Sequence, residues 1–251
     1  MKRVLRYLLL ILPLLAELVY ADQQMQQRLL AQMQKPDRHK FDLPRDAGRQ
    51  PYETFVFLGV EEGMTVLDVG AYAGYTSEML AAAVGQAGKV YAHNTRRVLE
   101  RYAEGYYQRT MSERLANDRL PNVVSHIAPY ESLGLDGEVD VAFLGNLLHD
   151  FYYRDGRRRT QQFLASIRRA LKPGGVLGVM DHVGDSVEDN AKLHRIEPHI
   201  ARGLLREAGF EIVGESELFA NPTDDHTLMV YDELIYRRTD RFLFKAVVPA
   251  R

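Results

Sequence analysis

Cysteine is absent from all 251 residues. That excludes disulfides, cysteine metal sites and lipid attachment through an N-terminal cysteine. A long apolar run is missing too. The longest stretch, Tyr7 to Ala16, is about ten residues, half of the roughly twenty needed to cross a bilayer. No strong charge of either sign is present: the net charge is -2, so nothing suggests a nucleic-acid partner. Internal repeats and low-complexity tracts are also lacking. What remains is an ordinary globular composition, 46% hydrophobic and 26% charged, at a length that suits one α/β domain with an ample core.

The first residues are set apart from the rest. Lys2, Arg3 and Arg6 precede the short apolar run, Glu17 ends it, and Val19-Tyr20-Ala21 places small residues where a signal peptidase reads. Residues 1–21 are therefore expected to be a cleaved secretory signal peptide, with the mature chain periplasmic or secreted and without a stable membrane span. An uncleaved anchor and a buried core helix are the competing readings. Residues 22–44 form an N-terminal helix, with Met25, Leu29, Leu30 and Met33 at helical spacing, and a charged connector. Residues 45–251 form the main domain.

The informative stretch is Thr65 to Met79. Val66, Leu67 and Val69 read as a strand buried on both faces. Gly70 to Gly74 is a turn of small residues, and Tyr75 opens a helix with Met79, Leu80 and Val84 on its apolar side. A strand, a tight turn and a helix in succession make a ligand edge in open α/β sheets. Further strands are predicted at Lys89–Ala92, Val123–Ile127, Val139–Leu144, Val176–Met180, from Phe210, and over Arg241–Val248. Helices are predicted over Tyr52–Leu58, Thr160–Leu171 and Ile200–Ala208. Lys172-Pro-Gly-Gly175 reads as a helix-ending turn. Asn221 to Arg238 is a long polar insertion.

Asp68-Val-Gly-Ala-Tyr-Ala-Gly74 resembles motif I of the class I S-adenosylmethionine-dependent methyltransferases, except that Tyr72 stands where a middle glycine is common. Leu171-Lys-Pro-Gly-Gly175 before an apolar strand is a second, independent resemblance. Gly74-Tyr75-Thr76, His149-Asp150, Asn221 to His226 and Thr239 to Phe242 are similar to a subgroup of bacterial predicted, exported methyltransferases. The resemblance covers about residues 45 to 248. It implies a Rossmann-like seven-stranded, mostly parallel sheet with helices on both faces and a C-terminal antiparallel hairpin. It also implies S-adenosyl-L-methionine as cofactor and a small molecule, methylated at oxygen, as substrate.

The same resemblance assigns site residues. Asp68, Gly70, Ala71, Gly74 and Tyr75 shape the cofactor pocket, and Asn146 borders its methionine end. Asn94 takes the place of the acid that meets the ribose; an amide accepts a hydrogen bond there but carries no charge. Tyr130 stacks on or covers the adenine, or is a plain wall residue. Leu148-His149-Asp150-Phe151 is similar to the segment that holds the histidine base of small-molecule O-methyltransferases. His149 is expected to take the acceptor proton, with Asp150 orienting it or helping to hold the cofactor. Tyr152 and Tyr153 line the acceptor pocket or pack the next helix. Asp181, His182, His194, His199 and Asp224 to His226 are scattered acids and histidines whose spacing fixes no metal site, so no metal is expected. The competing function is an exported, non-catalytic binding protein on the same fold; a nicotinamide-dependent enzyme fits the glycine spacing poorly. Oligomeric state is not legible.

Overall fold

The computed structural model describes residues 21–250; the expected signal peptide, all but Ala21, lies outside them. A seven-stranded sheet has the order β3-β2-β1-β4-β5-β7-β6. Its strands are β1 (Thr65–Val69), β2 (Lys89–Asn94), β3 (Val123–Ile127), β4 (Val139–Gly145), β5 (Leu171–His182), β6 (Glu211–Ser216) and β7 (Arg241–Val247). β1 to β5 run parallel; β7 is antiparallel to both β5 and β6. The expected seven strands and closing hairpin are therefore present.

Side-chain alternation along the strands makes two cores. Leu67, Val69, Ala142, Leu144, Leu177 and Val179 meet Phe163, Leu164 and Ile167 of helix Gly156–Ala170 on one face. Val66, Val90, Val141, Phe143 and Leu243 meet Phe55 and Leu58 of helix Pro51–Leu58 and Met79 and Leu80 of helix Tyr75–Val84 on the other. Met25 and Leu29 of the N-terminal helix, residues 21–33, belong to this second core. Arg28 secures that helix by donating to the carbonyls of Ala82 and Ala83.

Two element boundaries differ most from the sequence reading. β5 begins at Leu171, so the Lys172-Pro-Gly-Gly175 turn is a bulge inside a strand; Gly174 N–H donates to Val248 O and Val248 N–H donates to Gly175 O. The following-strand pairing captures a segment whose local chemistry says turn. Helix Gly156–Ala170 starts four residues earlier than its apolar stripe, because Phe151–Asp155 forms a π-type turn that feeds it. The insertion 221–238 contains turns and no strand. Strand order reverses between β1 and β4, and the crevice beyond their carboxyl ends is where such sheets hold ligands.

Candidate active site

A cavity of about 780 Å³ opens at this crevice. Gly70 ends β1 at φ +72°, and a Cβ there would come within 2.7 Å of Leu147 Cδ2. Only glycine fits a backbone so turned and so close to the Leu147 side chain. Asp68, Ala71, Tyr75, Tyr130, Asn146, His149 and Asp150 also line the cavity. Tyr72 is a wall residue, its ring tilted against Tyr107 at 5.2 Å; the hollow is not plugged by it.

Two residues expected at the cavity stand elsewhere. Gly74 faces the helix Tyr106–Leu115: a Cβ would meet Met111 Cε at 2.9 Å and Arg114 Cδ at 3.0 Å. Its missing side chain serves packing and not ligand approach. Asn94 is fully buried behind the turn. Its Oδ1 accepts from Tyr72 N–H (2.9 Å) and its Nδ2 donates to Tyr72 O (3.2 Å). Both ends of the amide are thus spent on the backbone, which explains an amide where an acid would leave the carbonyl of Tyr72 unpaired. Asn94 is buried and does not line the cavity where the ribose contact was expected.

Asp68 is buried with its Oδ2 accepting from Ser77 Oγ at 2.6 Å. Burial raises its pKa to about 6, with Ser77 and the charge of Arg49 pulling the other way. The turn is further held by Arg114, whose Nε donates to Ala73 O at 2.8 Å while its guanidinium pairs with Glu78 and Asp42. Neither Ser77 nor Arg114 carries a sequence signal that separates it from any helix serine or arginine.

Tyr130 packs edge-on against His93, Phe151 and Phe163, with its ring centroid 4.6 Å from Phe151. It is a fixed wall. Asn146 follows β4 at φ +53°. Its N–H donates to Met180 O at 2.7 Å, and its Oδ1 is buried without a partner. A left-handed backbone and an unpaired buried oxygen thus coincide at one residue on the cavity wall.

At the far end His149 is buried between carboxylates. Its backbone N–H donates to Asp181 Oδ2 (3.0 Å) and Nδ1–H to Asp181 Oδ1 (2.7 Å). Asp181 ends β5, is completely buried, and was visible in the sequence only as one of several scattered acids. Burial lowers the His149 pKa, but the charges of Asp181 and Asp150 and the hydrogen bond to Asp181 outweigh it and raise it to about 10. A raised pKa favours the protonated ring and works against the expected general-base role.

His194, on a left-handed backbone at φ +56°, brings Nδ1 to 3.2 Å from Asp150 Oδ1. His149 Nε2 lies 3.4 Å from the same oxygen. Ligand types that looked scattered thus converge. Five arginines, Arg45, Arg49, Arg154, Arg237 and Arg241, line the cavity; Arg154 pairs with Asp155, and among the described residues none of the other four has an acid within ion-pair distance. Tyr231 and Tyr236 reach the wall from the insertion.

Residues 67–179 match the family described as a methyltransferase domain. That segment runs from within β1 into β5 and contains β2, β3 and β4 whole. Among solved structures the chain is similar to a SAM-dependent methyltransferase from Aquifex aeolicus, with 22% identity over 83% of this chain and 95% of that one, at a TM-score of 0.60. It is similar to the cyclase SpnF, with 20% identity over 82% of each chain at 0.57. A SAM-dependent O-methyltransferase from Thermotoga maritima shares 19% identity over 81% of this chain and 66% of that one at 0.50. These likenesses establish the class I methyltransferase fold. No curated protein matches the sequence.

Proposed function

We infer that this methyltransferase domain uses S-adenosyl-L-methionine to methylate an oxygen of a small molecule. The observation that carries the reading is the pairing, in one cavity at the β1/β4 reversal, of the Gly70 gap with the unpartnered Oδ1 of Asn146. Gly70, Ala71 and Asp68 would hold the cofactor beside β1, and Asn146 would accept a hydrogen bond from it. Arg49 offers its carboxylate a cation. The cofactor, when bound, supplies an electrophilic methyl group. The chain's own part is to align the acceptor, since in-line displacement depends chiefly on positioning. His149 and Asp150 bound the acceptor end, and Tyr72, Tyr130 and Tyr231 screen it from water.

Fold by itself does not choose an activity, and the competing reading is a non-catalytic binding protein. The open cavity and the unpaired Asn146 oxygen favour an occupied cofactor site. Titration calorimetry of the purified protein with S-adenosyl-L-methionine tests this: saturable one-to-one binding is expected. Absence of heat and of competition at millimolar cofactor removes the enzymatic reading. His149→Ala should lower turnover far more than cofactor affinity; an unchanged rate with the natural acceptor dissociates His149 from the acceptor end.

Membership in an exported subgroup and a periplasmic or secreted location belong to the same proposal, on the strength of Lys2 to Ala21. Fusing residues 1–30 to a reporter active only outside the cytoplasm should give signal; a silent fusion returns the protein to the compartment where the cofactor is made.

A further inference from the structure

We propose that His149, Asp150 and His194 form a binding site for a first-row divalent transition-metal ion at the acceptor end of the cavity.

One ligand atom from each of the three lies within 4.8 Å of the other two. The two separations from Asp150 are those of ligands around one ion. Atoms about 2.1 Å from a common metal stand roughly 3.0 to 3.4 Å apart when they subtend about 90 to 109°. Asp150 Oδ1 is 3.4 Å from His149 Nε2 and 3.2 Å from His194 Nδ1. Close approach alone is common among exposed acids and histidines. Here a second observation points to a ligand: His149 Nε2 and His194 Nδ1 are both buried atoms without a hydrogen-bond partner, and the His149 side chain is only 4% exposed. The 3.4 Å approach to Asp150 does not satisfy Nε2. Two imidazole nitrogens that lack partners and flank one carboxylate oxygen leave a place that a cation completes.

The shell behind the ligands is also built. Metal-ligating histidines characteristically donate their other ring N–H to a carboxylate, which fixes tautomer and ring orientation. His149 Nδ1–H does this to Asp181 Oδ1, and the opposite oxygen of Asp181 takes the His149 backbone N–H. Asp181 is further fixed by His182 N–H at 2.8 Å. The left-handed backbone of His194 is a local strain that sets its ring edge-on to His149, with centroids 5.5 Å apart. Two imidazoles and one carboxylate suit zinc, cobalt, manganese or iron(II) better than calcium or magnesium, which prefer all-oxygen sets. All three residues line the cavity, so positions left open on the ion would face the acceptor. A bound oxygen there would lose its proton more easily. A metal would also require His149 to be neutral, in keeping with its role as ligand in place of base.

The site itself rests on geometry; only its effect on an acceptor oxygen rests on the methyl-transfer reading. The test uses the untagged full chain, stripped with EDTA, and the metals alone. Titration with Co2+ followed by visible absorption, and with Zn2+ and Mn2+ by calorimetry, should show one strong site. His194→Ala, at a half-exposed position, should weaken binding at least about tenfold with thermal stability of the metal-free protein retained. Asp181→Asn, which removes only the orienting acceptor, should weaken it about 10–100-fold. Failure of all three ions to bind stoichiometrically below millimolar concentration, or binding that is undiminished in His194→Ala, overturns the proposal. Cofactor titration of the EDTA-treated protein runs alongside, so loss of the metal site and loss of the methyltransferase reading are told apart.

Discussion

Arg195 is the place to break the structure that closes the cavity. Its side chain is fully buried, as is its partner's, and it pairs bidentately with Asp224 at 2.9 and 3.0 Å. The same guanidinium donates to Leu228 O at 3.1 Å and Val183 O at 3.0 Å. One residue thus pins the insertion 221–238, which bears Val230, Tyr231 and Tyr236 of the cavity wall, to the end of β5. Arg195→Met keeps the stem and removes the charge. Stranding a buried carboxylate typically costs about 3–5 kcal/mol. Asp224 would keep two backbone donors, Asp240 N–H at 2.7 Å and His226 N–H at 3.1 Å, so the lower end, about 3 kcal/mol, is expected. For a chain of this size that is a fall in Tm of about 6–12 °C, read by calorimetry or dye fluorescence. Arg195→Met/Asp224→Leu should recover part of the loss, because the stranded charge goes with its partner. Desolvation pushes the Asp224 pKa up, but Arg195 and the two backbone donors pull it below 3.8. The native protein should therefore lose this contribution as pH falls through that depressed value, and the variant should show less of that loss. A fall in Tm below 2 °C for Arg195→Met, or strict additivity in the double variant, would refute the reasoning.

Other outcomes can be checked alongside. Gly70→Val puts a branched side chain where a Cβ already meets Leu147 at 2.7 Å on a backbone at φ +72°; cofactor affinity should fall at least about a hundredfold, in line with the loss of several kcal/mol, with far-UV dichroism near normal. Retained affinity places the cofactor elsewhere. Asn94→Asp restores the acid usual in the family but removes the donor to Tyr72 O. It should lower stability by about 1–3 kcal/mol and bring no gain in cofactor affinity; a tighter cofactor complex would show that residue 94 reaches the ribose. Asp68 has a native pKa of about 6 against 3.8 unfolded, so the folded state binds more protons between those values. Its effect is most favourable below pH 4 and declines by about 3 kcal/mol as pH rises to about 6. Asp68→Asn should flatten that slope in Tm against pH; parallel curves for the two proteins would mean that the carboxylate titrates normally.

Local pattern alone predicts most of the elements and their order. Runs such as Val66-Leu67 and Phe163-Leu164 set periods of two and of 3.6, and Gly70 marks a turn only glycine can make; these are local properties and need no partner. The long β5 was not legible, because Lys172-Pro-Gly-Gly175 has turn chemistry and joins the sheet only through its bonds with Val248. Site composition was half legible for the same reason. Asp68, Asn146 and His149 lie next to strand ends, so motif position carries them to the crevice. The direction in which Gly74 faces, the use of both ends of the Asn94 amide, and the meeting of His149 and Asp150 with His194 were decided by tertiary structure alone. Hydrogen bonds and ligand distances between residues on different elements depend on how those elements dock, and docking is settled by the whole core at once.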